Sequence, residues 1–344
     1  MRAVTFQAPG EVRVDEVPDP EPIAASDAIV RVEATGICGS DLHIFHGRVK
    51  MEQGFIIGHE FVGRVVSAGD GVSEVAEGDR VLGCFCAACG TCFFCRRGDY
   101  VKCDHGQVFG HGAMLGNLPG AQADLVRVPY ANLTLRRVPE RLSDDVALFA
   151  GDVMATAYHA VAAAGMRPGD SVAVLGLGPV GLCAVQAARV AGAAQVVAID
   201  TVEARLEMAR SFGAQPVHLS EQSPRDEVKA LTGGRGADVV VEAVGNPQAL
   251  ELAIRLASKC GVVSIIGVYA ERCEVHMGLL WIKALRMETG HANVIGHLDK
   301  VLALMASGDL DPTPLVTHHM KLDEAPEAYG LYDRREALKI VLEP

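Results

Sequence analysis

Up to about Arg137, apolar and polar positions alternate in short runs: AVTFQ, AIVRVEAT, EFVGRVVSAG, DRVLGCF and ADLVRVP, separated by Gly, Pro and Asp. Valine-rich alternation with that punctuation predicts short strands and a compact, barrel-like β fold. From about Asp152 the pattern changes, and apolar helical stretches alternate with β runs: SVAVLGLG, PVGLCAVQAARVAGA, QVVAID, VEARLEMARSFGA. Alternation of that kind predicts βαβ units on a parallel sheet, which the later runs ADVVVEAVG and GVVSIIGVY extend. The tail from about His291 holds one helical run, LDKVLALMASG, and a terminal strand, LKIVLEP.

A chain of 344 residues is long enough for two such domains. Its start, MRAVTFQAPGEVRV, has neither an h-region nor an amphipathic presequence. No stretch approaches the roughly 18 uninterrupted apolar residues of a membrane span. The expectation is a soluble, cytoplasmic protein without a membrane partner. A net charge of -12 argues against nucleic acid, whose phosphates the summed field would repel. The chain shows no internal repeat or low-complexity tract.

Chemistry enters with the cysteines. Cys89, Cys92, Cys95 and Cys103 follow a C-x2-C-x2-C-x7-C spacing. Four thiolates in one short loop suit closed, tetrahedral, structural zinc. A disulfide cluster, redox thiols or an iron–sulfur centre are the competing readings, disfavoured by the absent leader and of any further Cys-rich run.

Gly176-Leu-Gly178-Pro179-Val180-Gly181 follows the strand SVAVL and opens a helix, the context a dinucleotide fingerprint requires. Gly176 would make the tight turn, Gly178 admit the pyrophosphate and Gly181 allow close packing, with phosphates at the helix N-terminus. Asp200 ends the next strand, where a carboxylate meets the adenosine ribose and favours NAD over NADP. Arg205 keeps NADP open, or simply sits on a helix surface.

Cys38 in GICGSDLH and His59 in GHE offer soft thiolate and imidazole, and Asp152 is the best third donor for a zinc with one open position. Glu60 beside His59 is a supporting or exchanging group. Each also has an ordinary reading: Cys38 as a small buried hydrophobe, His59 as a loop histidine, Asp152 as a helix cap.

Together these segments resemble the zinc-dependent alcohol dehydrogenases of the medium-chain dehydrogenase/reductase superfamily, nearly end to end. The most specific segment is Gly58-His59-Glu60-x2-Gly63-x5-Gly69-x2-Val72, which fits the family's zinc signature without a gap. The resemblance implies an α/β protein: a GroES-like β-rich catalytic domain over 1–153 and 291–344, with a zinc lobe at about 84–104, and a Rossmann doubly wound parallel-sheet domain over 154–290. It places the active site in the cleft between them. It also implies two Zn2+ per chain, NAD, a small alcohol, aldehyde or ketone substrate and a homo-oligomer, tetramer favoured over dimer.

By the same resemblance Cys38, His59 and Asp152 ligate the catalytic zinc, Glu60 is the nearby acid, and Asp41 orients the zinc-bound histidine. Ser40 contacts the alcohol and His43 ends the proton relay. Thr156, Val244 and Val268 contact the nicotinamide, and Phe85 walls the substrate pocket. Four positions depart from the family's commoner pattern. Aspartate stands at 152 where many members have cysteine, Gly39 replaces a basic residue, and Cys84 and Cys86 are extra thiols, Cys86 a rival ligand. Formaldehyde dehydrogenase or dismutase, polyol or threonine dehydrogenase activity, and an inactive zinc-binding structural relative are the alternatives. Phe109, Met114, Phe149 and His291 are further candidates for the substrate pocket, and GVVSIIGVY for pairing across a two-fold axis.

Overall fold

The computed structural model describes residues 1–269 and 272–344. The chain forms two units, Met1–Asp152 with Asn293–Pro344, and Val153–Ala292.

The first unit is built on a seven-stranded sheet. Its strands run in the order Leu135–Arg137, Arg80–Gly83, Phe61–Ala68, Ala28–Gly36, Ile340–Glu343, His318–Lys321, and Leu125–Val128 also pairs with Ala28–Gly36. The tail therefore does return, with Val341 opposite Gly36 and Leu342 opposite Thr35 in antiparallel register. Ala28, Val30, Val32, Phe61, Val65 and Val81 line one buried cluster, as expected of strands that alternate inward and outward positions.

The second unit is a six-stranded, wholly parallel sheet. The order is Gln215–His218, Gln195–Asp200, Ser171–Leu175, Ala237–Glu242, Ala257–Ile265, Arg286–Thr289. In order of appearance that is 3-2-1-4-5-6, the Rossmann arrangement. Every residue of Ser171–Leu175 is buried, which explains why SVAVL is continuously apolar instead of alternating: helices cover both of its faces. The helix Pro247–Leu256 brings Leu250, Ala253 and Ile254 against Ala173 and Leu175. The helix Val153–Ala163 packs elsewhere on the sheet, and Ser264 Oγ donates to Ala160 O at 2.8 Å.

The run Asp144–Ala163 has the length and mean hydropathy (1.4) of a span, but Asp152 interrupts it and 61% of that window is buried in the protein, as in a core helix. One expectation changes here. The strand within GVVSIIGVY is not an edge. Ala257–Ile265 is paired on both sides, and the outer position belongs to Arg286–Thr289.

Candidate functional site

The strand Ala28–Gly36 delivers the chain to Cys38, which opens the short helix Gly39–Phe45. Asp41 Oδ2 accepts from Cys38 N at 2.9 Å, a reciprocal N-terminal cap that fixes the turn. The other oxygen of Asp41 lies 3.1 Å from His59 Nδ1, an approach of two buried groups within ion-pair distance but without hydrogen-bond alignment. His59 Nε2 then points at Asp152 Oδ2, 3.2 Å away, and Cys38 Sγ lies 3.6 Å from that same oxygen. Cys38, His59, Glu60 and Asp152 each present a ligand atom within 4.8 Å of one another.

Those separations test the fit to a metal. Tetrahedral bonds of about 2.0–2.3 Å to N, O and S donors put ligand atoms about 3.3–3.8 Å apart, which the 3.2 and 3.6 Å edges match. Electrostatics agree. Burial pushes the Cys38 thiol up, and the charge of Asp152 adds to it. Burial would lower the pKa of His59, but the charge of Asp41 and the hydrogen bond to Asp152 hold it well above its usual value. A cation among these donors reverses both effects by stabilising thiolate and neutral imidazole. Glu60 Oε1 is buried and has no hydrogen-bond partner among the described residues.

Ser40 Oγ lies 3.3 Å from His59 Nε2. His43 is three residues further along the same helix, hence on the same face. Burial, then Arg48 and His46, lower the pKa of His43, so it is neutral at pH 7. The other oxygen of Glu60 is bonded to Lys339 Nζ, and both side chains are 0% exposed. Lys339 also donates to Ile37 O at 3.2 Å and stands 5.5 Å from the centre of the Phe149 ring. Sequence reading missed Lys339. The available signal was a cation inside the apolar tail L-K-I-V-L. It also missed His111, whose ring centre is 5.2 Å from that of His59.

The four-cysteine loop is ringed by amides. Cys89 N, His105 N and Cys95 N donate to thiol sulfurs at 3.2–3.5 Å. Burial opposes ionisation of Cys89, yet the Thr91 and Cys92 bonds bring it down to about 6. Cys92 Sγ and Cys103 Sγ are 3.9 Å apart, too far for a disulfide and close to the edge of a zinc–thiolate tetrahedron, about 3.8 Å. Cys86 is not part of this set: burial raises it well above its usual value, and burial pushes Cys84 up to about 12.

In the second unit Gly176 turns at φ +84 and Gly178 caps the helix Pro179–Val190, with Pro179 in its first turn. A Cβ at Gly178 meets nothing within 4 Å, so the backbone there is open to a ligand. Val180 and Gly181 complete that first turn. Asp200 Oδ2 accepts from Leu177 N at 2.6 Å, tying the strand end to the loop, and Oδ1 accepts from Thr201 N and Val202 N. Arg205 leans on Asp200 at 3.9 Å. Val244 and Val268 are both exposed past the carboxyl ends of adjacent strands. Glu242, which sequence reading passed over, accepts from Val244 N, Gly245 N and the Tyr269 hydroxyl and shapes that edge. Thr156 sits half-buried in the first turns of Val153–Ala163. Of the proposed pocket residues, Phe109 and Phe149 are fully buried core, Met114 and His291 are exposed, and Phe85 is half-buried.

Family models match both parts of the chain: an alcohol dehydrogenase GroES-like domain over residues 24–140 and a zinc-binding dehydrogenase domain over 179–307. An uncharacterised zinc-type alcohol dehydrogenase-like protein of Bacillus subtilis is 36% identical, with 100% of both chains covered. The chain belongs to the zinc-dependent alcohol dehydrogenases of the medium-chain dehydrogenase/reductase superfamily. An alcohol dehydrogenase of Cupriavidus necator is 34% identical over 100% of this chain and 99% of its own. The solved structure of alcohol dehydrogenase TADH from Thermus sp. ATN1 is 46% identical, with a TM-score of 0.96 and 100% and 99% of the two chains covered. This zinc-type dehydrogenase accordingly has the GroES-like and Rossmann architecture and is a zinc-containing oxidoreductase.

Proposed function

We propose that this dehydrogenase interconverts an alcohol with its aldehyde or ketone by hydride transfer to and from NAD, with Cys38, His59 and Asp152 holding a catalytic zinc. The convergence of thiol, imidazole and carboxylate donors at tetrahedral separations carries the reading. Zinc held by three protein ligands with one position open is a general catalytic arrangement, of which alcohol dehydrogenase is itself a standard example. Bound there, zinc supplies a Lewis acid that lowers the pKa of an alcohol hydroxyl. The charge of Asp41 favours the proton on Nδ1 of His59 and leaves Nε2 to the metal. Ser40 takes up the alcohol's proton, and neutral His43 accepts it and returns it to water. Gly176, Gly178 and Gly181 seat the pyrophosphate, while Thr156, Val244 and Val268 flank the nicotinamide. The carboxylate of Asp200 supports NAD over NADP, because a 2′-phosphate would meet its negative charge, which Arg205 at 3.9 Å offsets only in part.

Cys89, Cys92, Cys95 and Cys103 hold a second, structural zinc in this reading. Ten free cysteines accord with a reducing, cytoplasmic setting. Exposed Trp281, Ile282 and Met277 on the helix Met277–Lys283 support a homo-oligomer, a tetramer in our reading.

The test is NADH formation at 340 nm across primary, secondary and polyol alcohols and formaldehyde, with zinc counted per chain. NAD-linked turnover of one alcohol class with two zincs is expected; one zinc or none overturns the ligand assignment. Cys92→Ser should lose one zinc per chain and lower the thermal midpoint by roughly 3–4 °C, the shift for a loss of about 2–3 kcal/mol in a chain of this length. Zinc analysis beside calorimetry reads both. His43→Ala should depress turnover, most at low pH, with exogenous imidazole restoring part of it. Because its pKa is below 6.5, wild-type His43 stays a competent proton acceptor down to slightly acidic pH. A variant with the wild-type pH profile removes His43 from the relay.

A further inference from the structure

We propose that the Rossmann unit carries a second ligand site, at the edge of its sheet opposite the glycine loop, that takes a small anion bearing phosphate groups, of about pyrophosphate size. A cavity of about 190 Å³ opens there, lined by Arg225, Lys229, Arg235, Arg255, Lys259 and Lys283. Six cations face one small space in a chain of net charge -12. Gly236 and Ala257, also in the lining, stand where the strands Ala237–Glu242 and Ala257–Ile265 begin. The Gly176 turn and Asp200 stand where strands of the same sheet end. Roughly 17 Å of strand separates the two edges, so this cavity is not part of the dinucleotide site.

The charges are left available. Among the described residues, Arg255 pairs with Glu251, whereas Arg225, Lys229, Arg235 and Lys259 have no carboxylate within ion-pair distance. Lys283 is used structurally, donating to Ile254 O, Arg255 O and Ala257 O at 2.7–3.0 Å and closing the C-terminus of the helix Pro247–Leu256. Arg225 and Lys229 lie four residues apart on one helix, a like-charge spacing that opposes folding unless an anion sits between them.

Backbone strain is spent at the same place. Ala237 faces Ala257 and Val239 faces Val262, so two steps on one strand oppose five on the other. Cys260 inside that bulge has φ +61, an unfavourable conformation for a side-chain-bearing residue. The bulge carries exposed Lys259 to the cavity rim, and re-aiming a side chain is what such irregularities do. Guanidinium forks beside point-charge ammoniums match the oxygens of a phosphate group better than a single carboxylate. A phosphate or pyrophosphate group fits a cavity of this size.

The probe is inorganic pyrophosphate, titrated calorimetrically into the zinc-loaded full chain with NADH saturating, at low ionic strength. The expected result is one site per chain, weakened by salt, whose affinity falls about tenfold or more in Arg235→Gln/Lys259→Gln while NADH affinity is unchanged. In the unmodified protein, saturating pyrophosphate should also protect Lys259 from amine acylation read by mass spectrometry, which does not depend on the variant folding. Absence of binding with NADH present, equal affinity in the double variant, or unprotected Lys259 overturns the site. Citrate binding as tightly as pyrophosphate overturns the phosphate assignment.

Discussion

Lys339→Met should destabilise the catalytic unit by about 3–5 kcal/mol, the range for removing one partner of a buried ion pair. Lys339 and Glu60 are both fully buried and bonded to each other, and the ammonium also satisfies Ile37 O. Methionine fills similar volume but leaves the buried Glu60 carboxyl without its cation, so it must stay desolvated and charged or take up a proton, a larger penalty than the ion pair's own net worth. Gly36 shows how closely the site is built around this pair, since a Cβ there would lie 2.2 Å from Glu60 Oε2 and 2.9 Å from Lys339 Nζ. The double variant Glu60→Gln/Lys339→Met removes both charges and should regain most of the loss. Urea unfolding followed by tryptophan-independent circular dichroism gives the midpoints. A single variant within about 1 kcal/mol of the parent would mean that Glu60 does not depend on Lys339 for its charge.

Gly181→Ala should weaken NADH binding by about a hundredfold while leaving the zinc content intact. A Cβ at Gly181 would fall 1.8 Å from Gly176 O, a backbone atom with no flexible end to give way. The helix Pro179–Val190 must then back away from the strand end by more than 1 Å, carrying its N-terminal amides away from the pyrophosphate, and losing about 2–3 kcal/mol of charge-assisted hydrogen bonds there corresponds to about a hundredfold in affinity. The metal donors belong to the other unit, so their chemistry is insulated from the change. NADH fluorescence titration beside zinc analysis separates the outcomes, and unchanged NADH affinity would show that the helix is not seated as Gly181 implies.

Much of the fold was legible because its signals are local. The continuous burial of SVAVL, the glycines at 176, 178 and 181, and the acid at 200 lie within one βαβ unit. Donor types at 38, 59 and 152 are likewise visible along the chain, but their approach to within 4.8 Å is a property of the folded sheet and not of spacing. Lys339 escaped because 279 positions separate it from Glu60. Phe109 and Phe149 were ambiguous between pocket and core, since an aromatic ring serves both. Packing decided for core, with Phe109 stacked edge-on against Phe61 at 5.3 Å. The place of Ala257–Ile265 inside the sheet was equally hidden, because an apolar strand reads the same at an edge as in the interior.

The antiparallel pairing of Val341 with Gly36 has a bearing on biosynthesis. The Rossmann unit is one unbroken stretch, Val153–Ala292, and is ready to fold as soon as it leaves the ribosome. The strand Ala28–Gly36 instead waits for a neighbour that starts at Ile340, about 15–60 s later at ordinary elongation rates. Throughout that interval Glu60 lacks its cation, and the Thr35–Gly36 end of the strand lacks its tail partner while Leu125–Val128 already pairs with Ala28–Arg31. The portion translated first is thus the portion completed last, and nascent-chain stalling before residue 339 should leave it open to chaperones and proteases while the dinucleotide half is already closed.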